Sequence, residues 1–348
     1  MINVLISEDS PTSRDLLIYI LNADPDIHIT GVVNNGEDAV AAVATNKPDV
    51  VMMDVHMPKM DGFEATRKIM QTDPVPIVIV SETLVDHISA TSAAYEAGAV
   101  AFIPQPYGLG HPEHAVAAAE FLRVIKLMAE IKVVRRWVRH VTPPKVVPKA
   151  SNIPVRFMSG ELKLIAIGAS TGGPIVLQVI LSALASGLNV PVLIVQHIAT
   201  GFVQVLADLF QSSGLPIHVA VEGETTLPGH VYIAPEDSHM GIDRQGRIRL
   251  SKAVPEHGLR PSVSYLFRSV AEAYGKDAVG VLLTGMGKDG AGELKLMRNS
   301  GALTIAQDAP SSVVHGMPGE AIRLDAADHV LPPEGIAILL NRLLKSNT

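Results

Sequence analysis

Short apolar runs alternate with amphipathic stretches along most of this 348-residue chain. In the first third the runs are Ile2 to Ser7, Ile27 to Val33, Val50 to Asp54, Ile77 to Ser81 and Ala101 to Pro104. Helical stretches of roughly 10 to 15 residues lie between them, and five such units predict a doubly wound parallel sheet. A second series starts near Leu162, with strands expected at Leu162 to Ile167, Val190 to Gln196, His230 to Ala234, Arg247 to Ser251, Ala278 to Leu283 and Leu303 to Ala306. Helices are expected after Gly173, Gly201, Pro261, Asp289 and Pro333. No repeat links the two halves.

From about Leu122 to Gly160 the pattern is lost. Lys126, Lys132, Arg135, Arg136, Arg139 and Lys145 make this stretch basic, and Pro143, Pro144, Pro148 and Pro154 break any continuous helix. It reads as the end of a long helix running into a solvated tether, with a partner contact as the alternative. The expected fold class is therefore α/β. It comprises a flavodoxin-like domain over residues 1–123, a linker over 124–160 and a Rossmann-like domain over 161–348.

Composition narrows the function. Apolar residues make up 47% of the chain, enough for two cores, while 28 glycines and 4% aromatics suit α/β layers better than a β-sandwich. The net charge of -7 argues against a nucleic-acid partner. There is no cysteine, hence no disulfide framework, thiolate zinc site or cysteine nucleophile. Glu8 and Asp9 arrive before any signal-peptide core forms. No apolar stretch reaches the roughly 18 residues that span a bilayer. The chain reads as cytoplasmic, with no direct membrane insertion.

The first candidate site gathers at predicted strand ends, where open α/β sheets hold their ligands. Glu8 and Asp9 end the first strand, Asp54 the third and Ser81 the fourth, and Gln105 follows the fifth. Three convergent carboxylates repel one another unless a cation sits among them, and an oxygen-only set favours Mg²⁺. Such a site takes up a phosphoryl group, and the Ser81 hydroxyl is placed to bond it.

The second candidate is Gly168-Ala169-Ser170-Thr171-Gly172-Gly173-Pro174, between a predicted strand and a predicted helix. Gly-x-Ser-x-Gly marks a sharp turn that exposes a serine nucleophile, with the helix N-terminus behind it suited to an oxyanion. A glycine-rich turn also cradles phosphates, but no lysine stands where a P-loop needs one. His197, at the end of the next strand, is the candidate base. Asp289, in Thr284-Gly285-Met286-Gly287-Lys288-Asp289-Gly290, is the candidate orienting acid, or else a helix N-cap. The order Ser, His, acid differs from that of α/β-hydrolases. His111-Pro112-Glu113-His114, the one close histidine pair, reads as surface in a loop-like stretch.

Both halves resemble known families. Residues 1–123 are similar to the receiver domain of bacterial response regulators, through Glu8-Asp9, Asp54 with Met57-Pro58-Lys59-Met60-Asp61-Gly62, Ser81, and Pro104-Gln105-Pro106. The resemblance implies that Asp54 is phosphorylated, that Mg²⁺ is bound by Glu8, Asp9 and Asp54, and that Ser81, Phe102 and Gln105 form the switch. Gln105 stands where the family normally has lysine, which offers the phosphoryl group a neutral donor instead of a charge.

From about Lys163 to Leu344 the chain resembles the catalytic domain of chemotaxis response regulator protein-glutamate methylesterases. The matching motifs include Ile167-Gly168-Ala169-Ser170-Thr171-Gly172-Gly173, Gln196-His197, Leu227-Pro228-Gly229-His230-Val231-Tyr232, Arg260-Pro261-Ser262-Val263, Leu283-Thr284-Gly285-Met286-Gly287-Lys288-Asp289-Gly290 and His315-Gly316-Met317-Pro318. The resemblance implies a triad of Ser170, His197 and Asp289, oxyanion donors near Thr171 and Met286, and no cofactor in this domain. It also implies demethylation of glutamate esters and deamidation of certain glutamines on the cytoplasmic domains of chemoreceptors, under control of a histidine kinase as phosphodonor. The rivals are a DNA-binding regulator, which the α/β second half disfavours, and a binding module with a dead triad.

Overall fold

The computed structural model describes residues 1–81, 93–94, 97–130, 161–198 and 202–346. Most of the expected linker, residues 131–160, and Gly201 lie outside the described residues. The chain divides into two compact units, Met1–Pro143 and Pro144–Thr348.

The first unit is a five-stranded parallel sheet of β1 (Ile2–Ser7), β2 (Ile27–Val33), β3 (Val50–Asp54), β4 (Ile77–Ser81) and β5 (Ala101–Pro104), in the order β2-β1-β3-β4-β5. All five strands fall where the apolar runs put them. The helices are α1 (Pro11–Asn22), α2 (Gly36–Thr45), α3 (Gly62–Thr72) and α4 (His114–Ala129). Ser10, Asn35 and Asp61 cap the first three, each side chain accepting a backbone N–H of the first turn. His114 opens α4, so the close histidine pair is only partly in a loop. In the last turn of α4, Lys126 Nζ lies 2.7 Å from Asp24 Oδ2 and 2.9 Å from Asp26 Oδ2, tying that helix to the turn before β2.

The second unit has a seven-stranded parallel sheet. In chain order its strands are β6 (Leu164–Ala169), β7 (Val192–Gln196), β8 (Ile217–Val219), β9 (Val231–Ile233), β12 (Ala278–Leu282), β13 (Leu303–Gln307) and β14 (His329–Leu331). They lie in the order β14-β13-β12-β6-β7-β9-β8. The helices are α5 (Gly173–Leu184), α6 (Val203–Gln211), α7 (Val263–Ala273), α8 (Ala291–Asn299), α9 (Met317–Arg323) and α10 (Pro333–Ser346).

Both faces of this sheet are covered. In β6, Ile165 and Ile167 enter one core with Leu177, Ile180, Leu339 and Leu340, while Leu164 and Ala166 enter the other with Leu266, Phe267, Leu294 and Met297. The period-2 geometry of a strand serves both cores, which is why the run reads as continuously apolar. Full burial of one such large side chain stabilises by about 1.5–3 kcal/mol.

Arg247 to Ser251 is a correction. The strand there, β11 (Ile248–Ser251), pairs antiparallel with β10 (His239–Ile242) in a separate two-stranded ribbon rather than joining the parallel sheet. Its pattern carried the difference: Ile248 is buried and Arg249 exposed, a one-sided strand rather than a doubly covered one. The short strands β8 and β14, the ribbon strand β10 and the seven-residue helix α9 escape sequence reading because three to seven residues hold too few periods to register.

Connectivity places the site. From β6 the chain moves to β7 on one side, and later returns to β12 on the other. Strand order therefore reverses at β6, and the crevice outside the carboxyl ends of β6, β7 and β12 is the topological switch point.

Candidate active site

Ser170 is the first residue after β6, at the tip of the expected turn. Its amide donates to the Thr284 carbonyl (3.0 Å), so the turn after β12 is laced to the turn after β6. Gly172 caps α5 with φ of +77°, and a Cβ there would sit 2.5 Å from Val313 Cγ2. Both backbone and space demand glycine at that position. Gly285 lies directly against Ser170: a Cβ on it would meet Ser170 Cβ at 2.6 Å. Met286, the expected second oxyanion donor, is the next residue.

His197 directly follows β7, and its amide donates to the Ala169 carbonyl (3.0 Å), which holds it beside the strand that leads into Ser170. Its Nε2 lies 2.9 Å from Asp289 Oδ2. An ionised carboxylate only accepts, so this contact places an N–H on Nε2, donating to Asp289, and leaves Nδ1 as the nitrogen with a free lone pair.

Asp289 is buried (1% exposed). Besides His197 it accepts from Ser262 Oγ (2.7 Å), Val263 N (2.7 Å) and Ser264 N (3.0 Å). Burial alone drives its pKa up, but the bond and charge of His197 and the donors from Ser262 and Ser264 overcome this and hold the carboxyl below the ordinary range. The N-terminus of α7 contributes its dipole as well. Asp289 is thus a helix-terminus acid after all, but it serves α7 rather than its own helix, whose N-cap is Gly290. Gly168 and Gly290 make room for this: a Cβ on either would meet Val263 Cγ1 at 2.3 or 2.4 Å.

Thr284 joins the two glycine-rich turns. Its hydroxyl reaches the Thr171 carbonyl (2.9 Å) and accepts from Val314 N (2.9 Å), while its amide donates to Gln307 Oε1 (2.8 Å). Sequence reasoning gave no role to Thr284, Gln307, Ser262 or Ser264. For Ser262 the signal was present, a serine directly before a helical run.

In the first unit, carboxylate oxygens of Glu8, Asp9 and Asp54 lie within 4.8 Å of one another. Burial above all, with Asp9 beside it, pushes Asp54 up to about 6. Ser81 and Phe102 are buried, and Gln105 N donates to the Ser81 carbonyl (3.1 Å), holding the chain after β5 against the end of β4. Glu8, Asp9, Asp54, Ser81 and Gln105 thus fall at the carboxyl ends of the strands, while Phe102 lies within β5, opposite Ile79. Three oxygen donors so close together, all carboxylates, fit a hard divalent cation.

Fold and site define a two-unit α/β protein with an acidic strand-end pocket in one unit and a Ser-His-Asp grouping at the switch point of the other. A CheB methylesterase model matches residues 165–340, and a response regulator receiver domain model matches residues 4–117. The chain belongs to the CheB methylesterase family: it is a carboxylic-ester hydrolase with a response regulator receiver domain.

It is 52% identical over 346 residues to a protein-glutamate methylesterase/protein-glutamine glutaminase of Nitrosospira multiformis, covering 99% of this chain and 97% of that one. A protein of the same description from Geobacter metallireducens is 51% identical over 99% of both chains. The crystal structure of the Thermotoga maritima CheB methylesterase catalytic domain aligns with TM-score 0.51 at 37% identity, covering 54% of this chain and all of that one. Among the described residues, no helix is long and apolar enough to cross a membrane.

Proposed function

We propose that the chain removes methyl groups from glutamate γ-methyl esters of chemoreceptor cytoplasmic domains, and deamidates certain glutamines there, at a rate set by phosphorylation of Asp54. The division taken is a receiver over residues 1–123, a linker over 124–160 and a catalytic domain over 161–348. The observation that carries the catalytic reading is the His197 Nε2 to Asp289 Oδ2 contact beside the Ser170 turn.

Ser170 Oγ attacks the ester carbonyl carbon while His197 Nδ1 takes its proton. The carbonyl oxygen becomes an oxyanion, held by backbone N–H groups at Thr171 and Met286. The C–OCH₃ bond breaks and His197 returns the proton to the departing methanol. Water, deprotonated by His197, then attacks the acyl-enzyme and frees glutamate and Ser170. With glutamine the leaving group is ammonia. Asp289 stays ionised throughout and supports the imidazolium.

In the first unit Glu8, Asp9 and Asp54 would hold Mg²⁺, which supplies charge neutralisation for phosphoryl transfer from a histidine kinase. Ser81 and Gln105 would bond the new phosphoryl oxygens.

The test is methanol release from a methyl-esterified receptor signalling domain. Ser170→Ala is expected to lose at least about 10⁴-fold in rate. Unchanged release would make the triad a bystander and the domain a binding module.

A further inference from the structure

Gln196, the last residue of β7, has a side chain that no step above uses. It is 4% exposed. Its Nε2 donates to the Ser170 carbonyl (2.8 Å) and to the His197 carbonyl (2.8 Å). Two carbonyl oxygens at that range consume both N–H groups of the amide. Its Oε1 is buried and has no hydrogen-bond partner among the described residues. That atom lies against Gly173, where a Cβ would come within 2.1 Å of it. Gly173 has no positive φ to explain its glycine, so space is the reason: a Cβ would meet the Gln196 amide first and Ala169 Cβ, at 2.8 Å, next.

A buried acceptor without a partner costs stability, because its lost water bond is not replaced. The rest of the side chain must return something that an apolar residue of the same size does not. The peptide plane shows what that is. In a trans peptide the C=O of one residue and the N–H of the next point in opposite directions. Fixing the Ser170 carbonyl therefore fixes the direction of the Thr171 N–H. Gly173 N also donates to the Ser170 carbonyl (2.8 Å), so two donors pin that plane. The other bond of Gln196 fixes the carbonyl of the catalytic base.

We propose that Gln196 is a positioning residue for the oxyanion site, one amide that aims the Thr171 N–H and ties the nucleophile's turn to the turn carrying His197. This rests on Ser170 being the nucleophile.

The full chain tests it as wild type, Gln196→Met, Gln196→Glu and Gly173→Ala. The readouts are methanol release from a synthetic peptide carrying a glutamate γ-methyl ester, and inhibition by phenylboronic acid. Boronate adducts on serine place an oxygen in the oxyanion site, so their affinity reports that site's geometry.

Gln196→Met is expected to lower kcat about 10- to 100-fold, below the loss from deleting a donor outright, with KM within about twofold. Boronate affinity should fall in parallel. Gly173→Ala displaces the same amide and should reproduce both effects, and the double variant should lose no more than either single one. Wild-type kcat with an unchanged boronate constant in Gln196→Met would overturn the proposal, as would a loss confined to KM. If Gln196→Met fails to fold, Gln196→Glu, of the same shape but with carboxylate oxygens facing both carbonyls, takes its place. Unfolding of both makes Gln196 a core residue and also overturns the proposal. Ser170→Ala separates the two readings: if it stays active the nucleophile assignment fails, whereas an inactive Ser170→Ala beside a fully active Gln196→Met sinks only the role of Gln196.

Discussion

At Asp289 four donors converge on one buried carboxylate, and the balance of effects there sets how the triad responds to change. Desolvating a carboxylate costs several kcal/mol, and bonds to a charged group return about 1.5–3 kcal/mol each. Losing Ser262 Oγ removes one of the four. Ser262→Ala should lower thermal stability by about 1–3 kcal/mol and kcat by roughly tenfold, because Asp289 then holds His197 less firmly. Asp289→Asn should cost about 10⁴-fold in kcat through the wrong imidazole tautomer. The folded-state pKa of Asp289 lies below the ordinary aspartate value of 3.8, so its stabilising contribution is complete above that value and is lost as pH falls below it. A melting series between pH 5 and about 2 should therefore slope less steeply for Asp289→Asn than for wild type. Equal slopes would mean that Asp289 is not held ionised by its neighbours.

Turns between strand and helix carry both sites, and glycines decide how closely they pack. Gly62 opens α3 immediately behind Asp54, where a Cβ would lie 2.0 Å from the Asp54 carbonyl oxygen. Backbone cannot yield as a flexible side chain does. Gly62→Ala should destabilise the first unit by about 1–3 kcal/mol and move Asp54. The measurement is phosphorylation by acetyl phosphate with Mg²⁺, which should fall well before global unfolding sets in. The same element scale shows where sequence reading reached. The long, doubly buried strands and most helices were legible from periodicity. The antiparallel ribbon of β10 and β11 was not assigned correctly, because a five-residue alternating run does not name its partner. The role of Ser262 was hidden because the residue it serves lies 27 positions further along the chain.

For the molecule as a whole, the question is whether chemistry at Asp54 changes chemistry at Ser170. A phosphodonor should raise methanol release in wild type and leave Asp54→Asn unstimulated. Gln105 follows β5, its side chain offering a neutral amide where the receiver family normally has lysine. Gln105→Lys should raise the stimulation by about two- to tenfold, because a charged donor bonds phosphoryl oxygens roughly twice as strongly as a neutral one. No gain in that variant would mean that the switch runs through Ser81 without help from position 105.

The chain by itself determined its two α/β units, the acidic strand ends of the first and the Gly-x-Ser-x-Gly turn of the second, because each is written in local periodicity or in a contiguous motif. It offered His197 and Asp289 as candidates but left a solitary histidine and a helix-cap aspartate as equal readings. Tertiary structure shows what each of them meets. Strand order reverses at β6 and brings three distant turns to one crevice, and only there does Asp289 meet both an imidazole and the N-terminus of a different helix. The assignment of Gln196 came the same way: its two carbonyl partners and the glycine that makes room for it are neighbours only in the folded chain.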